Sequence, residues 1–179
     1  MKTRPLLLMC LFVVTLLCAC HRQNATGTVV SNDKTPPDDA EAPYVEGNKR
    51  IIHLENEEIE LFIQRYGWQM ERTGTGLYIQ ILEQGNGAQI QEDDRVTLEY
   101  QTFLLSGEKI YDSAEDGVKT FKVAKSEEIN ALHEAVRMLR PGARARLVIP
   151  SYMAYGVAGD GDKVNGREPV VMLIHVLEP

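Results

Sequence analysis

Cysteine is missing from the part of the chain that would fold. There are three, Cys10, Cys18 and Cys20, all within the first twenty residues. The remainder therefore has no disulfide framework, no metal-binding cysteine set and no thiol nucleophile. The four histidines, His21, His53, His133 and His175, show no metal-ligand spacing and no carboxylate partner pattern. His133 and His175 fall on faces expected to be wet. Asp160-Gly161-Asp162 begins like a calcium loop, but Val164 stands where an oxygen ligand is needed and Val171 where the closing Glu should be. It reads as a glycine-rich turn, and no metal is expected. No phosphate-cradling loop and no Ser-His-Asp pattern occurs. Basic charge is also short, with 19 Lys and Arg against 26 Asp and Glu and a net charge of −7. An acidic chain is not drawn to nucleic acid or to anionic lipid headgroups by its overall field.

What is present begins at the N-terminus. Lys2 and Arg4 precede an apolar run from Leu6 to Leu17, which is too short for a comfortable span of about 20 apolar residues. A basic start, a short apolar core and small residues before a cut describe an export signal. Leu17-Cys18-Ala19-Cys20 resembles the lipobox of bacterial lipoproteins, in which the cysteine after the cut carries the lipid, here Cys20. The alternative is a plain secretory signal with incidental cysteines. Cleavage after residue 19 leaves 160 of the 179 residues. It removes two bases and no acid, so the net charge moves from −7 to −9. Membrane attachment then rests on the lipid.

Residues 20–47 are expected to be the lipid anchor and a flexible linker, because His21 to Val45 is rich in Asn, Thr, Asp, Pro and Ala and has no apolar period. An ordered arm is the alternative. Residues 48–73 form an N-terminal helical segment. Ile59, Phe62, Ile63 and Tyr66 fall at helical spacing, Gly67 stops the run, and Glu55, Glu57 and Glu58 lie where a helix start favours acids. Its stripe should dock on the domain beyond it, residues 74–179.

That domain reads as strands with one short helix. Leu77, Ile79 and Ile81 alternate, as do Val96, Leu98 and Tyr100. Lys109 to Asp112 and Thr120 to Val123 are short strands. Ala145, Leu147 and Ile149 alternate against Arg144 and Arg146, and Met172, Ile174 and Val176 close the chain. One-sided alternation implies an antiparallel sheet with one wet face. Ser126 is placed to cap a helix with Glu127 and Glu128 in its first turn and Ile129, Leu132, Val136 and Leu139 as its stripe; Pro141-Gly142 ends it. The fold class is α+β: a curved antiparallel sheet, or half-barrel, wrapped over one short helix and preceded by an N-terminal helix.

Three stretches in order then resemble the FKBP-type peptidyl-prolyl cis/trans isomerase family. Val96-Thr97-Leu98-Glu99-Tyr100 with Gly107 through Ser113 is similar to its V-x-Y strand and G-x-x-F-D-S segment, with one extra residue before the aromatic. Ile129 through Gly142 is similar to its helix and helix exit. Arg144 through Pro150 followed by Ala154-Tyr155-Gly156 is similar to its strand and A-Y-G loop. The order of signal, spacer, acidic helix and domain also resembles the gliding-motility-type FKBP lipoproteins. The resemblance implies a pocket. Tyr100 and Phe121 would be walls, Tyr111 would take a phenylalanine position, and Ile129 would offer its backbone N–H. Leu132 would be the floor and Ile174 the base, with Asp112 and the Tyr155 hydroxyl as catalytic polar handles. Leu132 replaces the usual tryptophan and Ile174 an aromatic, which thins the lining. The family's Ile-Pro-Pro loop is missing between Val157 and Pro169.

Physical chemistry agrees with that site. Rotation about an X–Pro bond crosses a barrier near 20 kcal/mol and takes tens of seconds unaided. No covalent bond breaks, so neither nucleophile nor cofactor is required. A site must only favour the twisted amide over both planar forms. Apolar walls exclude water from an amide that has lost the polarity of its planar form, and a few hydrogen bonds hold the flanking chain. Each residue also has a plainer role: Tyr100, Phe121, Ile129 and Leu132 as core, Asp112 as a turn cap, Tyr155 as a loop anchor.

The expectation is an isomerase of X–Pro bonds in exported proteins, assisting their folding. Its partners would be proline-containing polypeptides and, through the lipid anchor, a membrane, with no nucleic acid. It would sit in the cell envelope facing the periplasm. The alternative is a non-catalytic binding or assembly module of the same fold. If Cys20 carries the lipid, Cys20→Ser should release the chain into the soluble fraction or block its processing. Unchanged membrane attachment in a fractionation assay would refute the anchor.

Overall fold

The computed structural model describes residues 38–178. Ala40–Pro179 forms one compact unit, which holds all the described strands. The expected signal, Cys20 and the linker up to residue 37 lie outside the described residues.

The first helix, α1, spans Asp38–Tyr66. It starts ten residues before the expected helical segment, so residues 38–47 are helix rather than linker. Acids at the helix start and Ala40, Glu41 and Ala42 favour helix there, although Pro43 and Gly47 within the same stretch oppose it. Gly67, at φ +64°, ends α1 in the left-handed conformation that L side chains avoid. The early start also moves Glu55, Glu57 and Glu58 to mid-helix, away from the dipole's positive end. Among the described residues no helix is long and apolar enough to cross a membrane.

The strands are β1 (Glu71–Arg72), β2 (Tyr78–Glu83), β3 (Arg95–Leu104), β4 (Lys109–Asp112), β5 (Lys119–Lys122), β6 (Arg144–Ile149) and β7 (Val170–Val176). A short helix α2 (Ser113–Asp116) follows β4, and α3 (Asn130–Arg137) follows β5. The sheet order is β1-β2-β6-β7-β3-β4, with β5 also paired to β3, and all pairings are antiparallel. β3 is long enough to be shared. Its first half pairs with β5 and its second half with β4, while β7 runs along its other edge.

Alternation along the strands fills the concave side. Val96, Leu98, Tyr100, Ala145, Leu147, Ile149, Met172 and Ile174 join Ala131, Leu132, Ala135 and Val136 of α3 in one buried cluster. This is the expected sheet curled over a helix. The opposite side is not simply wet. Val148 and Val171, on the alternate positions, are buried with Tyr78 beneath Ile59 and Phe62 of α1. Full burial of two such side chains contributes about 1.5–3 kcal/mol each, which explains why α1 docks there. Farther along, Arg146 lies 4.1 Å over the Trp68 ring, and Phe62, Tyr66 and Trp68 form an aromatic cluster at 4.8–5.4 Å.

The start of α3 also differs from expectation. Its N-cap is Ile129, which makes no side-chain capping bond. Ser126 instead exchanges hydrogen bonds with the backbone of Lys122, at 2.8 and 3.1 Å. Glu127 and Glu128 therefore precede the helix, and Glu128 pairs with Lys119 at 2.9 Å. His133 is not on a wet face either: it packs edge-on against Phe121 and accepts from Ala124 N–H. The β5–α3 connection is held by side-chain bonds to its own backbone, a competition that local capping signals do not reveal.

Leu132 is fully buried where α3 meets the sheet. Leu132→Asp places an unpaired charge there and should cost several kcal/mol of stability. A denaturant midpoint equal to the parent's would contradict this packing.

Candidate active site

The register decides which residues can meet. Tyr100 and Ile174 are direct cross-strand partners, and Phe121 sits opposite Val96, four positions from Tyr100 on the same side of β3. Directly opposite residues interact through their side chains, so Tyr100 meets Ile174, while Phe121 shares their face farther along β3. Tyr100, Phe121, Leu132 and Ile174 are all buried in the concave cluster, and Tyr111, Ile129 and Tyr155 pack against it half-exposed. The structure thus gathers all seven apolar and aromatic candidates into one body. Leu132 and Ile174 lie beneath its surface; Tyr111, Ile129 and Tyr155 form the part that solvent reaches.

The polar groups around this surface divide into two sets. Near Tyr155, burial pushes the phenol up to about 12, reinforced by the carboxylates of Asp160 and Glu128. The hydroxyl therefore stays protonated at any physiological pH. Beside it, Tyr111 donates to Asp160 Oδ2 at 2.5 Å. Burial, then this bond, raises the Tyr111 phenol. Burial also pulls Asp160 upward, but the bonds from Tyr111 and from the N–H groups of Asp162 and Val164 outweigh it and hold the carboxyl below its usual range. Lys163 closes the arrangement, 4.7 Å over the Tyr111 ring and donating to Ile110 O at 2.8 Å. Lys119, paired with Glu128, lies 5.2 Å over the Tyr100 ring. Among the described residues, no acceptor takes the Ile129 N–H at the start of α3.

Asp112 belongs to the other set. β4 pairs Asp112 with Gln101, whose side chain lies on the face opposite the Tyr100 ring. Its Oδ2 accepts from Gln101 Nε2 at 2.8 Å and Lys109 Nζ at 2.6 Å, and its Oδ1 caps α2 through Ala114 N–H at 3.0 Å. The carboxylate borders a cavity of about 440 Å³ whose lining includes Glu99, Tyr100, Gln101, Leu173, Ile174 and His175. The structure thus gives Asp112 the contacts of a turn cap, with its carboxylate bordering the same cavity as Tyr100. The next residue, Ser113, accepts from Tyr100 N–H at 3.0 Å, so this corner still fixes the Tyr100 backbone.

Asp160 is the residue that sequence reasoning passes over. The Asp-Gly-Asp tripeptide is a turn, as expected, with Asp160 Oδ1 accepting from Asp162 and Val164 N–H at 2.9 Å. Its second oxygen is what reaches Tyr111, 49 residues away in sequence. The only signal in the sequence is its position five residues after Tyr155.

Three contacts, Lys109 first, hold the Asp112 carboxyl down to about 2 from an ordinary 3.8. A depressed folded value means that its stabilising effect is complete above the unfolded pKa and is lost as pH falls through about 2. In a carboxyl NMR titration, Lys109→Met should move the Asp112 midpoint back up toward 3.8. An unmoved midpoint would show that the lysine is not the main cause.

The family model for the FKBP-type peptidyl-prolyl cis-trans isomerase matches residues 86–177. A probable FKBP-type peptidyl-prolyl cis-trans isomerase FkpA from Neisseria meningitidis is 32% identical over 142 residues, covering 77% of this chain and 51% of that protein. The outer membrane protein MIP of Legionella longbeachae is 29% identical over 103 residues, 58% of this chain and 44% of that protein. The chain spans about half the length of these relatives. Among solved structures, FkpA from Escherichia coli has a TM-score of 0.61 at 22% identity, covering 78% of this chain and 68% of that one. A peptidyl-prolyl cis-trans isomerase from Pseudomonas syringae has a TM-score of 0.59 at 24% identity, covering 70% and 93%. At these identities the two structures share the fold. With the matched region spanning β3 to β7 and the helices between them, just over half of the chain, the chain belongs to the FKBP-type peptidyl-prolyl cis-trans isomerase family.

Proposed function

We propose that this chain catalyses cis/trans isomerisation of X–Pro bonds in exported polypeptides and so assists their folding. The observation that carries the reading is the partly exposed apolar surface of Tyr111, Ile129 and Tyr155 over the buried Tyr100 and Phe121, edged by a protonated Tyr155 hydroxyl and a free Ile129 N–H. A proline ring seated there loses water on one side. The planar X–Pro amide loses part of its solvation, and the twisted amide, which is less polar, loses less. The difference lowers the barrier. The Tyr155 hydroxyl and Ile129 N–H donate to carbonyls flanking the bond and hold the chain while the amide turns. Asp112 acts at one remove, as the group that fixes the β4–α2 corner against Tyr100. Leu132 and Ile174 support the floor from below.

Delivery by a signal over residues 1–19, a lipid on Cys20 and a position on the periplasmic side are part of the same proposal. They rest on the sequence pattern, and the MIP relative is named for the outer membrane. The likeness to gliding-motility-type lipoproteins rests on the order of segments alone.

A second reading, a binding or assembly module with little catalysis, draws on Leu132. A fully buried aliphatic side chain stands where an aromatic floor would touch a ligand. The readings separate in kinetics. The enzyme reading expects Tyr155→Phe to lower kcat/KM for a Leu-Pro peptide roughly two- to tenfold, the worth of one hydrogen bond at about 0.5–1.5 kcal/mol. If the parent refolds a proline-limited substrate no faster than buffer, and Tyr155→Phe changes nothing, the binding-module reading takes its place.

A further inference from the structure

Glu55 is the most deeply placed carboxylate on α1, and the isomerase site does not use it. It is 9% exposed. Its Oε1 accepts from Ser151 N–H at 2.5 Å and its Oε2 from the Ser151 hydroxyl at 2.7 Å, across 96 residues of sequence. Ser151 opens the 3₁₀ turn Ser151–Met153, whose N-cap is Pro150 and carries no side-chain capping bond. Proline has no side-chain acceptor, so the turn lacks the cap that a serine or aspartate would normally supply from the chain itself. Glu55 supplies it from another element. Ile59, one helical turn farther along α1, is fully buried against the sheet, so the carboxylate's reach is fixed by packing.

The turn leads directly into the site. The Ser151 carbonyl accepts from Ala154 N–H at 3.1 Å and from Gly156 N–H at 2.7 Å, the residues on either side of Tyr155. Gly156 O in turn accepts from Arg167 N–H at 2.7 Å, which ties down the far end of the next loop. Ser151 is thus held at its N–H and hydroxyl by α1 and uses its carbonyl to hold both neighbours of Tyr155. Resting on the isomerase reading, we propose that Glu55 is a positioning residue of that site: it caps the Ser151–Met153 turn from α1 and so sets the loop that presents the Tyr155 hydroxyl. The helix outside the isomerase core then acts on the reaction through this one carboxylate.

The test uses the full chain and the near-isosteric Glu55→Gln, which keeps one acceptor oxygen and the packing of α1. Kcat and KM are measured separately on a Leu-Pro peptide, alone and in a Tyr155→Phe background. Amide hydrogen exchange is followed at Ser151 and Gly156. Glu55→Gln should lower kcat roughly three- to tenfold with KM near the parent's, as expected for one weakened hydrogen bond. It should speed exchange at both amides and cost little more once the Tyr155 hydroxyl is gone. The proposal is overturned if kcat and exchange stay at parental values, or if the loss in kcat is the same with and without that hydroxyl. If the parent itself shows no catalysis, the isomerase reading fails, and exchange alone decides the latch. Faster exchange at Ser151 and Gly156 in Glu55→Gln would support it, and unchanged exchange would overturn it.

Discussion

The two-sided burial of β7 is the constraint on which the rest depends. This strand lies between β6 and β3, and Val170, Met172, Ile174 and Val176 pack onto α3 while Val171 packs under α1. Side chains alternate with a period of two, so a slip of one residue would exchange the two faces and expose both sets at once. The register is therefore fixed from both sides. It places Tyr100 opposite Ile174, and Ala145 opposite Ile174 on the other edge. Around that fixed strand, β4 and β5 carry Tyr111 and Phe121, and the turn after β6 leads to Tyr155.

A site for amide rotation needs little more than this. The reaction moves no atoms between molecules, so the protein has to supply shape, dryness and a few fixed donors. Rigidity comes from the concave core. In the proposed site the donors come from the places where regular structure stops: the start of α3, where Ile129 N–H has no acceptor among the described residues, and the turn after β6, where Tyr155 follows the 3₁₀ turn. The acidic loop that carries Asp160 is fastened to β4 through Tyr111 and Lys163, which gives a segment without a proline motif a defined position over the site.

The strands are legible in the sequence because their signal is local. Lys109–Asp112 and Arg144–Ile149 match the sequence expectation residue for residue, while α3 holds Leu132 and Val136 of the expected stripe, with Ala131 and Ala135 beside them, and leaves Ile129 and Leu139 outside its ends. Physical reasons explain the departures. The first turns of α1 have no apolar period, and Pro43 and Gly47 there mask the helix propensity of Ala40, Glu41 and Ala42. The start of α3 has a serine that serves the preceding strand instead of the helix. The second face of the sheet reads as wet because Val148 and Val171 carry no charge pattern of their own, and only the docking of α1 buries them. Contacts such as Glu55 with Ser151 and Tyr111 with Asp160 join residues 96 and 49 positions apart. Nothing in a local pattern encodes a pairing at that distance. The sequence puts Asp112 on the correct strand, but its direction depends on which residue of β3 it faces.

The central claim is that a proline-containing chain turns on the surface formed by Tyr111, Ile129 and Tyr155 over Tyr100 and Phe121. The most direct measurement is exchange NMR of a Leu-Pro peptide with a catalytic amount of the full chain, reading the cis–trans rate and the protein signals together. The account predicts exchange well above the uncatalysed rate, with peptide-induced shifts at Ile129 and Tyr155 and none at Glu99 and His175 on the opposite face. Exchange at the uncatalysed rate, or shifts confined to that opposite face, would contradict it.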